Sequence, residues 1–222
     1  MTPRLTWIVL LFTLLAACSP PPAPTIALDA DLLREDFSDP RAWESYFNAA
    51  QGMNFAIEDG VYKARVTQTG IMWTLHNDVH TDVVIEVETT QISTWRDNAY
   101  GLMCRAAPSG NGNGYYFLIS ADGQYTIRRG ARDQITALIP WRASSAIRQD
   151  RAINRIRIAC IGERLLLFVN GEFVAETHDN LYRSGSAGIS AGMGMATGAQ
   201  LNQARDVEVW FDDLTIWAAR FP

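Results

Sequence analysis

The sequence predicts an all-β domain, an antiparallel sandwich or barrel. Three observations carry this. About ten short segments alternate apolar and polar residues, the period of two that a half-buried strand needs. Turn pairs such as Asn170-Gly171 and Asp122-Gly123 recur between them, and residues of this kind supply the positive φ angles of two-residue hairpin loops. No segment of the domain holds a convincing helical period, and no fixed-length repeat marks a propeller or solenoid. With 222 residues, 48% of them hydrophobic, the chain can bury one substantial core.

The N-terminus reads as an appendage. Arg4 supplies a positive start, and Leu5 to Leu15 is an apolar run too short for a bilayer, which needs ~20 residues. It reads as an export signal over residues 1–17. The order Leu15-Ala16-Ala17-Cys18 resembles the lipobox of bacterial lipoproteins, in which the cysteine is lipidated and becomes the mature N-terminus. Cys18 is therefore the expected lipidation site, anchoring through buried methylenes at ~0.8 kcal/mol each. Ser19 in the next position implies, by the same resemblance, an outer-membrane destination where two membranes exist. Residues 18–28, with the Pro-rich SPPPAPT, form a semi-rigid tether. The expected domain spans 29–222.

Within the domain, Glu35 to Pro40 has the Asp, Ser and Pro of a strand end and turn. Gly60 to Val66 alternates, and Ile71 to Leu75 carries Trp73. In Asp82 to Thr90, Val83, Ile85 and Val87 share one face while Glu86 and Glu88 occupy the other. Asn98 to Ala106 aligns Tyr100, Leu102 and Cys104. Pro108 to Gly114 is a loop, and Gly114 to Arg129 is a hairpin about Asp122-Gly123. Across Ile135 to Ile147, Pro140-Trp141 argues against a continuous helix and leaves a short connector as the favoured reading. Asn154 to Thr177 is a three-stranded meander turning at Gly162-Glu163 and Asn170-Gly171. A Gly-rich segment follows at Gly188 to Ala199. In the final strand, Asp206 to Trp217, Val207, Val209 and Phe211 differ in parity from Leu214 and Ile216. A bulge at Asp212-Asp213 would restore both sets to the core.

Together EDFSDP, DVVIEVE, NAYGLMCR, GYYFLIS with DGQYTI, NRIRIACIGERLLLFVNG and VEVWFDDLTIW resemble the concanavalin A-like (LamG-like) jelly-roll domains, close to the group named for 3-keto-disaccharide hydrolases. The resemblance covers most of the chain after residue 30. It implies a two-sheet antiparallel jelly-roll sandwich, a fold that hosts enzymes, sugar-binding modules and adhesion domains alike.

Charge excludes one class of partner. With 19 basic against 24 acidic residues and no run of either sign, the chain has no footprint for a polyanion such as nucleic acid. Parity points Cys104 and Cys160 inward, where a disulfide is the preferred reading and two separate buried thiols the alternative. Glu86 and Glu88, ~7 Å apart on one strand face, fall within the spacing of glycosidase carboxylate pairs. Related jelly-roll glycosidases carry Glu-x-Asp-x-x-Glu on such a strand, whereas this chain ends the stretch with Gln91, an amide that cannot act as the acid. A solvated strand face is the favoured reading. His76, His80 and His178 form no triad pattern, with His76 and His80 flanking a turn. No cofactor is called for; calcium is common in such sandwiches by resemblance, yet Asp36, Asp39, Asn111, Asn113, Asp212 and Asp213 lack ordered ligand spacing.

Aromatics make the better case. Trp95, Tyr115, Tyr125 and Trp141 are expected to line a sheet face or its rim as flat platforms for sugar rings, with Arg105, Glu86, Glu88 and loop Asn side chains orienting hydroxyls. Leu166 and Phe168 make the central meander strand apolar on its second face as well, so something must cover it. The expected protein is a lipid-anchored, non-catalytic glycan-recognition sandwich of the cell envelope. A glycoside-cleaving enzyme and an envelope interaction scaffold are the alternatives.

Overall fold

The computed structural model describes residues 23–194 and 205–222. Cys18, the leader and part of the Gly-rich segment lie outside them. The strands are β1 (Ala27–Glu35), β2 (Tyr46–Asn48), β3 (Met53–Glu58), β4 (Val61–Val66), β5 (Gly70–His80), β6 (Val83–Gln91), β7 (Asn98–Ala106) and β8 (Gly114–Ile119). They continue with β9 (Gln124–Ala131), β10 (Gln134–Ala143), β11 (Ile153–Ile161), β12 (Arg164–Val169), β13 (Glu172–His178), β14 (Gly185–Met193) and β15 (Val207–Arg220). Among the described residues the helical content is one 3-10 turn at Ala49–Gln51. The all-β expectation holds.

Two antiparallel sheets form the sandwich. The larger, of nine strands, runs β13-β12-β11-β6-β15-β4-β3-β2, with β1 also paired to β15. The smaller, of six, runs β10-β9-β8-β7-β14-β5. Alternation along each strand divides inside from outside. Val83, Ile85 and Val87 of β6, Ile156 and Ile158 of β11 and Leu165 and Leu167 of β12 face inward. They meet Tyr100 and Leu102 of β7, Phe117 of β8 and Ile189 of β14 in one buried core. The expected bulge is present: the register of β15 against β6 shifts between Asp212 and Thr215, and Asp213 has φ 50°. This keeps Phe211, Leu214 and Ile216 all in the core.

Cys104 of β7 and Cys160 of β11 are joined in a disulfide, with Cα atoms 6.7 Å apart. One covalent bond thus ties the two sheets at their buried centre.

Two stretches depart from expectation, and a third, the Gly-rich one, gains an assignment. Ile135 to Ala143 belongs to strand β10, not to a connector. Among the described residues this strand pairs only with β9, at the sheet edge, and its register slips on either side of Ile139, so Pro140 removes no ladder hydrogen bond that a neighbour needs. The first part of the Gly-rich segment, Gly188 to Met193, belongs to the interior strand β14 (Gly185–Met193), buried throughout. Its glycines serve close approach: a Cβ at Gly192 would lie 2.6 Å from the Gly70 carbonyl oxygen. His76 and His80 lie within β5 instead of flanking a turn, and His76 packs against Trp43 with ring centroids 5.3 Å apart.

The apolar second face of β12 is covered by the chain itself. Leu166 is buried with Val84, Ala159, Ile161 and Ala219, and Ile26, Phe168, Phe173, Trp217 and Phe221 pack on them. Segments near both ends of the chain therefore close this face.

Candidate functional site

The residues proposed from sequence separate into three places. Tyr115 and Tyr125 point into the core, as does Trp95, whose indole N–H donates to the Asp97 carbonyl at 2.7 Å. None of these rings offers a face to a ligand. Tyr115 of β8 and Tyr125 of β9 belong to the inner rows of their strands, and Trp95 lies in the loop between β6 and β7.

Tyr115 is committed to an interior polar network instead. Its hydroxyl donates to Asp179 Oδ1 at 2.6 Å and accepts from the Tyr182 backbone N–H at 3.1 Å, while Arg129 donates to the other Asp179 oxygen. Burial, reinforced by the Asp179 carboxylate, pushes the Tyr115 phenol up to about 12. Burial also acts to raise Asp179, but the hydrogen bonds from Tyr115 and the Leu181 N–H together with the Arg129 charge outweigh it, leaving this carboxyl below its usual range.

Arg105 is likewise internal. Only 2% exposed, it donates to the carbonyls of Thr81, Gly162 and Tyr182 and to Asp82 Oδ1. It ties three loops together at one end of the sandwich and is closed to ligand.

Glu86 and Glu88 do share the outer face of the larger sheet, where β11 lies opposite. Arg157 Nε donates to Glu86 Oε2 at 2.6 Å and Arg155 donates to Glu88 Oε2 at 3.1 Å. The pair is one half of a charged cross-strand ladder. A hollow of about 500 Å³ beside it is lined by Arg34, Glu35, Asp36, Glu86, Arg155 and Asp213, among others. Burial, with the negative charges of Asp213, Glu88 and Asp36, raises the Asp212 carboxyl nearby. Asp36, Asp39 and Asn111 accept backbone N–H groups of their own turns. Among the described residues no three metal-ligating side chains converge.

The third place is the outer face of the smaller sheet, and it holds Trp141. The cross-strand rows explain its shape. Ile71 of β5 lies opposite Gly192 of β14, which lies opposite Ala99 of β7. Trp73 lies opposite Ser190, then Gly101, then Leu118 of β8. Small residues on β14 and β7 thus keep the middle low while large ones rise on either side. The result is a groove of about 360 Å³ floored by Ala99, Leu118 and Gly192 and walled by Ile71, Ile135, Arg128 and Trp141. Ile135 also borders a second hollow of about 230 Å³ that is lined by Trp73, Asn111, Gly112 and Asp133, so the two form one track across the face.

Two indoles stand along this track. Trp73 is held by its N–H donating to the Gly110 carbonyl at 3.3 Å and by an edge-on contact with Tyr116 at 6.1 Å. Trp141 carries the Arg128 guanidinium at 5.7 Å from its ring centre. Sequence reasoning selected Trp141 but passed over Trp73. The signal was there: Ile71, Trp73 and Leu75 form an apolar row of one parity, while Met72 and Thr74 form the other.

Asp97 is the single carboxylate lining the groove. Residues 195–204, which follow its Gly194 rim, contain no Asp or Glu.

Neither a protein-family model nor a curated protein matches the sequence. Solved structures do. The carbohydrate binding module CBM66 from Bacillus subtilis is 15% identical, with a TM-score of 0.62 over 81% of this chain and 97% of that one. A protein of unknown function with a galectin-like fold, also from Bacillus subtilis, is 13% identical, with a TM-score of 0.62 over 88% and 99%. A prokaryotic β-1,3-1,4-glucanase (lichenase) derived from a mouse hindgut metagenome is 11% identical, with a TM-score of 0.58 over 83% and 97%. At these identities the likeness establishes a jelly-roll sandwich of a kind found in both glycan-binding modules and glycoside hydrolases.

Proposed function

We propose that this chain is an exported lipoprotein whose sandwich binds a glycan, without cleaving it, along the outer face of the smaller sheet. The observation that carries the reading is the track between Trp141 and Trp73. Two partly exposed indoles flank a floor of small residues, and a flat ring with a polar N–H suits the C–H face of a pyranose while leaving its hydroxyls to polar neighbours. Binding rather than cleavage is supported by the chemistry lining the track. Glycoside hydrolysis by two carboxyl groups needs a facing pair, and the track carries its two carboxylates in different hollows, Asp97 in the one that holds Trp141 and Asp133 in the one that holds Trp73. Glu86 and Glu88 are on the other sheet, each held by an arginine. The carbohydrate binding module among the structural relatives is consistent with this assignment.

A shallow, open track gives weak single-site affinity, and crowding of lipid-anchored copies on a membrane would raise the effective strength. The anchor is Cys18, preceded by the leader at residues 1–17 and followed by the Pro-rich tether. Two measurements test the two halves. Affinity electrophoresis of the full chain against a panel of soluble polysaccharides should show retardation that Trp73→Ala and Trp141→Ala each reduce; no retardation by any polymer sinks the binding reading. Fatty-acid labelling should mark the wild-type chain and not Cys18→Ala; an unlabelled wild type removes the anchor.

The closest rival is the glycoside-cleaving activity that the resemblance to the 3-keto-disaccharide hydrolase group implies. Release of reducing sugar abolished by Asp97→Asn would favour it.

A further inference from the structure

Arg128 is out of place in the pattern of its neighbours. Among the described strand residues, the other arginines that are wholly or partly buried are Arg65, Arg105, Arg129, Arg157 and Arg164, and each meets a carboxylate. Arg128 meets none. Every Asp and Glu of the chain lies among the described residues, and none is within ion-pairing distance of it. A partly buried guanidinium without a counter-ion is costly, because desolvation disfavours its charge. Burial does act on this group, lowering its pKa from the usual arginine range.

What holds it there is the groove. The strand row places Arg128 opposite Tyr116, on the outer face of β9. Its guanidinium packs over the Trp141 ring, and it lines the same hollow as Ala99, Leu118 and Gly192. Stacking on an indole fixes the plane of the fork while leaving its edge N–H groups free. Arg128 thus lines, beside Trp141, the cavity that holds one of the two platforms proposed for a sugar ring.

We infer that the groove selects sugars bearing an oxyanion, a uronate carboxylate or a sulfate ester, and that Arg128 is the residue that holds it. This rests on the glycan-binding reading and narrows it. An arginine fork matches two oxygens of a carboxylate or sulfate at once, and such charge-assisted pairs are about twice as strong as neutral hydrogen bonds. A neutral sugar would leave the guanidinium unpaired. An acidic one would supply the counter-ion that the fold omits, with its ring lying on Trp141; the selection is a short-range pair at one sugar, because a net charge of −5 offers no long-range attraction to a polyanion.

The test compares polymers at fixed ionic strength, using the full chain and affinity electrophoresis. The acidic arms are polygalacturonate, alginate and dextran sulfate; the neutral arms are unmodified dextran and a mixed-linkage β-glucan. The expected result is that at least one acidic arm is bound ten or more times as tightly as the neutral arms, the uronates and the sulfate ester reporting which oxyanion fits. Arg128→Gln should abolish that preference, Arg128→Lys should keep part of it, and Arg142→Gln, at an exposed arginine of the neighbouring strand, should leave it intact. Equal binding of neutral and acidic arms, or an equal loss in Arg142→Gln, overturns the role of Arg128 and leaves the glycan-binding reading standing. Retardation by none of the five overturns both. The preference of the wild-type chain decides the matter even if Arg128→Gln folds poorly.

Discussion

Cys104 and Cys160 are bonded across the sandwich interior, linking β7 of the smaller sheet to β11 of the larger at a sequence separation of 56. The bond closes a loop that the unfolded chain would otherwise explore. In the chain-entropy model this contributes about 4 kcal/mol. Both half-cystines are fully buried, so the smallest replacement is Ala at each. The double variant Cys104→Ala with Cys160→Ala should melt on the order of 10 °C below the wild type. Reduction of the wild type should lower its melting temperature to a similar extent. Equal melting temperatures would show that packing alone holds the sheets together.

Asp179 makes stability depend on acid. Its carboxyl is depressed in the folded state because the hydrogen bonds from Tyr115 and Leu181 and the Arg129 charge exceed the opposing effect of burial. A depressed carboxylate contributes stability that is complete above the unfolded value, ~4, and is lost as pH falls through the folded one. Asp179→Asn should therefore cost about 2 kcal/mol at neutral pH, the scale of a hydrogen bond to a charged group. The two unfolding curves should converge as pH drops below ~4. A gap that stays constant down to strong acid would refute the ionised network.

Glu86 and Glu88 bear on stability rather than on ligand. Their partners Arg157 and Arg155 are about half exposed, so each pair contributes on the order of 0.5–1 kcal/mol and weakens in salt. Glu86→Gln and Glu88→Gln should each lower stability by about that amount at low ionic strength and leave polysaccharide retardation unchanged. Loss of retardation in either variant would move the site to the larger sheet.

How far the sequence could be read depended on whether parity alone decided the outcome. The Asn170-Gly171 turn, the inward row holding Cys104 and Cys160, and the bulge at Asp212-Asp213 follow from local chemistry and a period of two. Each appears in the structure. Pro140 misled, and the glycines of β14 carried no assignment, for one shared reason: a residue's cost in a strand depends on who its neighbours are. Pro140 is tolerated because β10 is an edge strand, and the glycines are required because β14 is hemmed in by β5 and β7. The candidate site was legible only in part. Both faces of the smaller sheet are apolar, so hydrophobicity could not tell Tyr115 and Tyr125, which fill the core, from Trp73 and Trp141, which stand outside it. That distinction required knowing which row of each strand faces the other sheet.

The four aromatic positions consequently give opposite phenotypes. Trp95 is 8% exposed and belongs to the core, where truncating so large a side chain costs about 3–5 kcal/mol. Trp95→Ala should lose much of the melting temperature, while any fraction that stays folded binds polysaccharide as the wild type does. Tyr115→Phe keeps the ring but removes the hydroxyl that bridges Asp179 and Tyr182, and should cost about 1–2 kcal/mol with no change in binding. Trp73 and Trp141 are partly exposed on the groove side, so their removal takes less from the core. Trp73→Ala and Trp141→Ala should each weaken retardation about tenfold, equivalent to about 1.4 kcal/mol. Because the two rings border separate hollows that meet at Ile135, an oligosaccharide long enough to span both should feel each loss, whereas a short one resting on Trp141 should be indifferent to Trp73→Ala. Comparing the two chain lengths against both variants measures the extent of the track, and identical losses for short and long ligands would reduce it to a single ring.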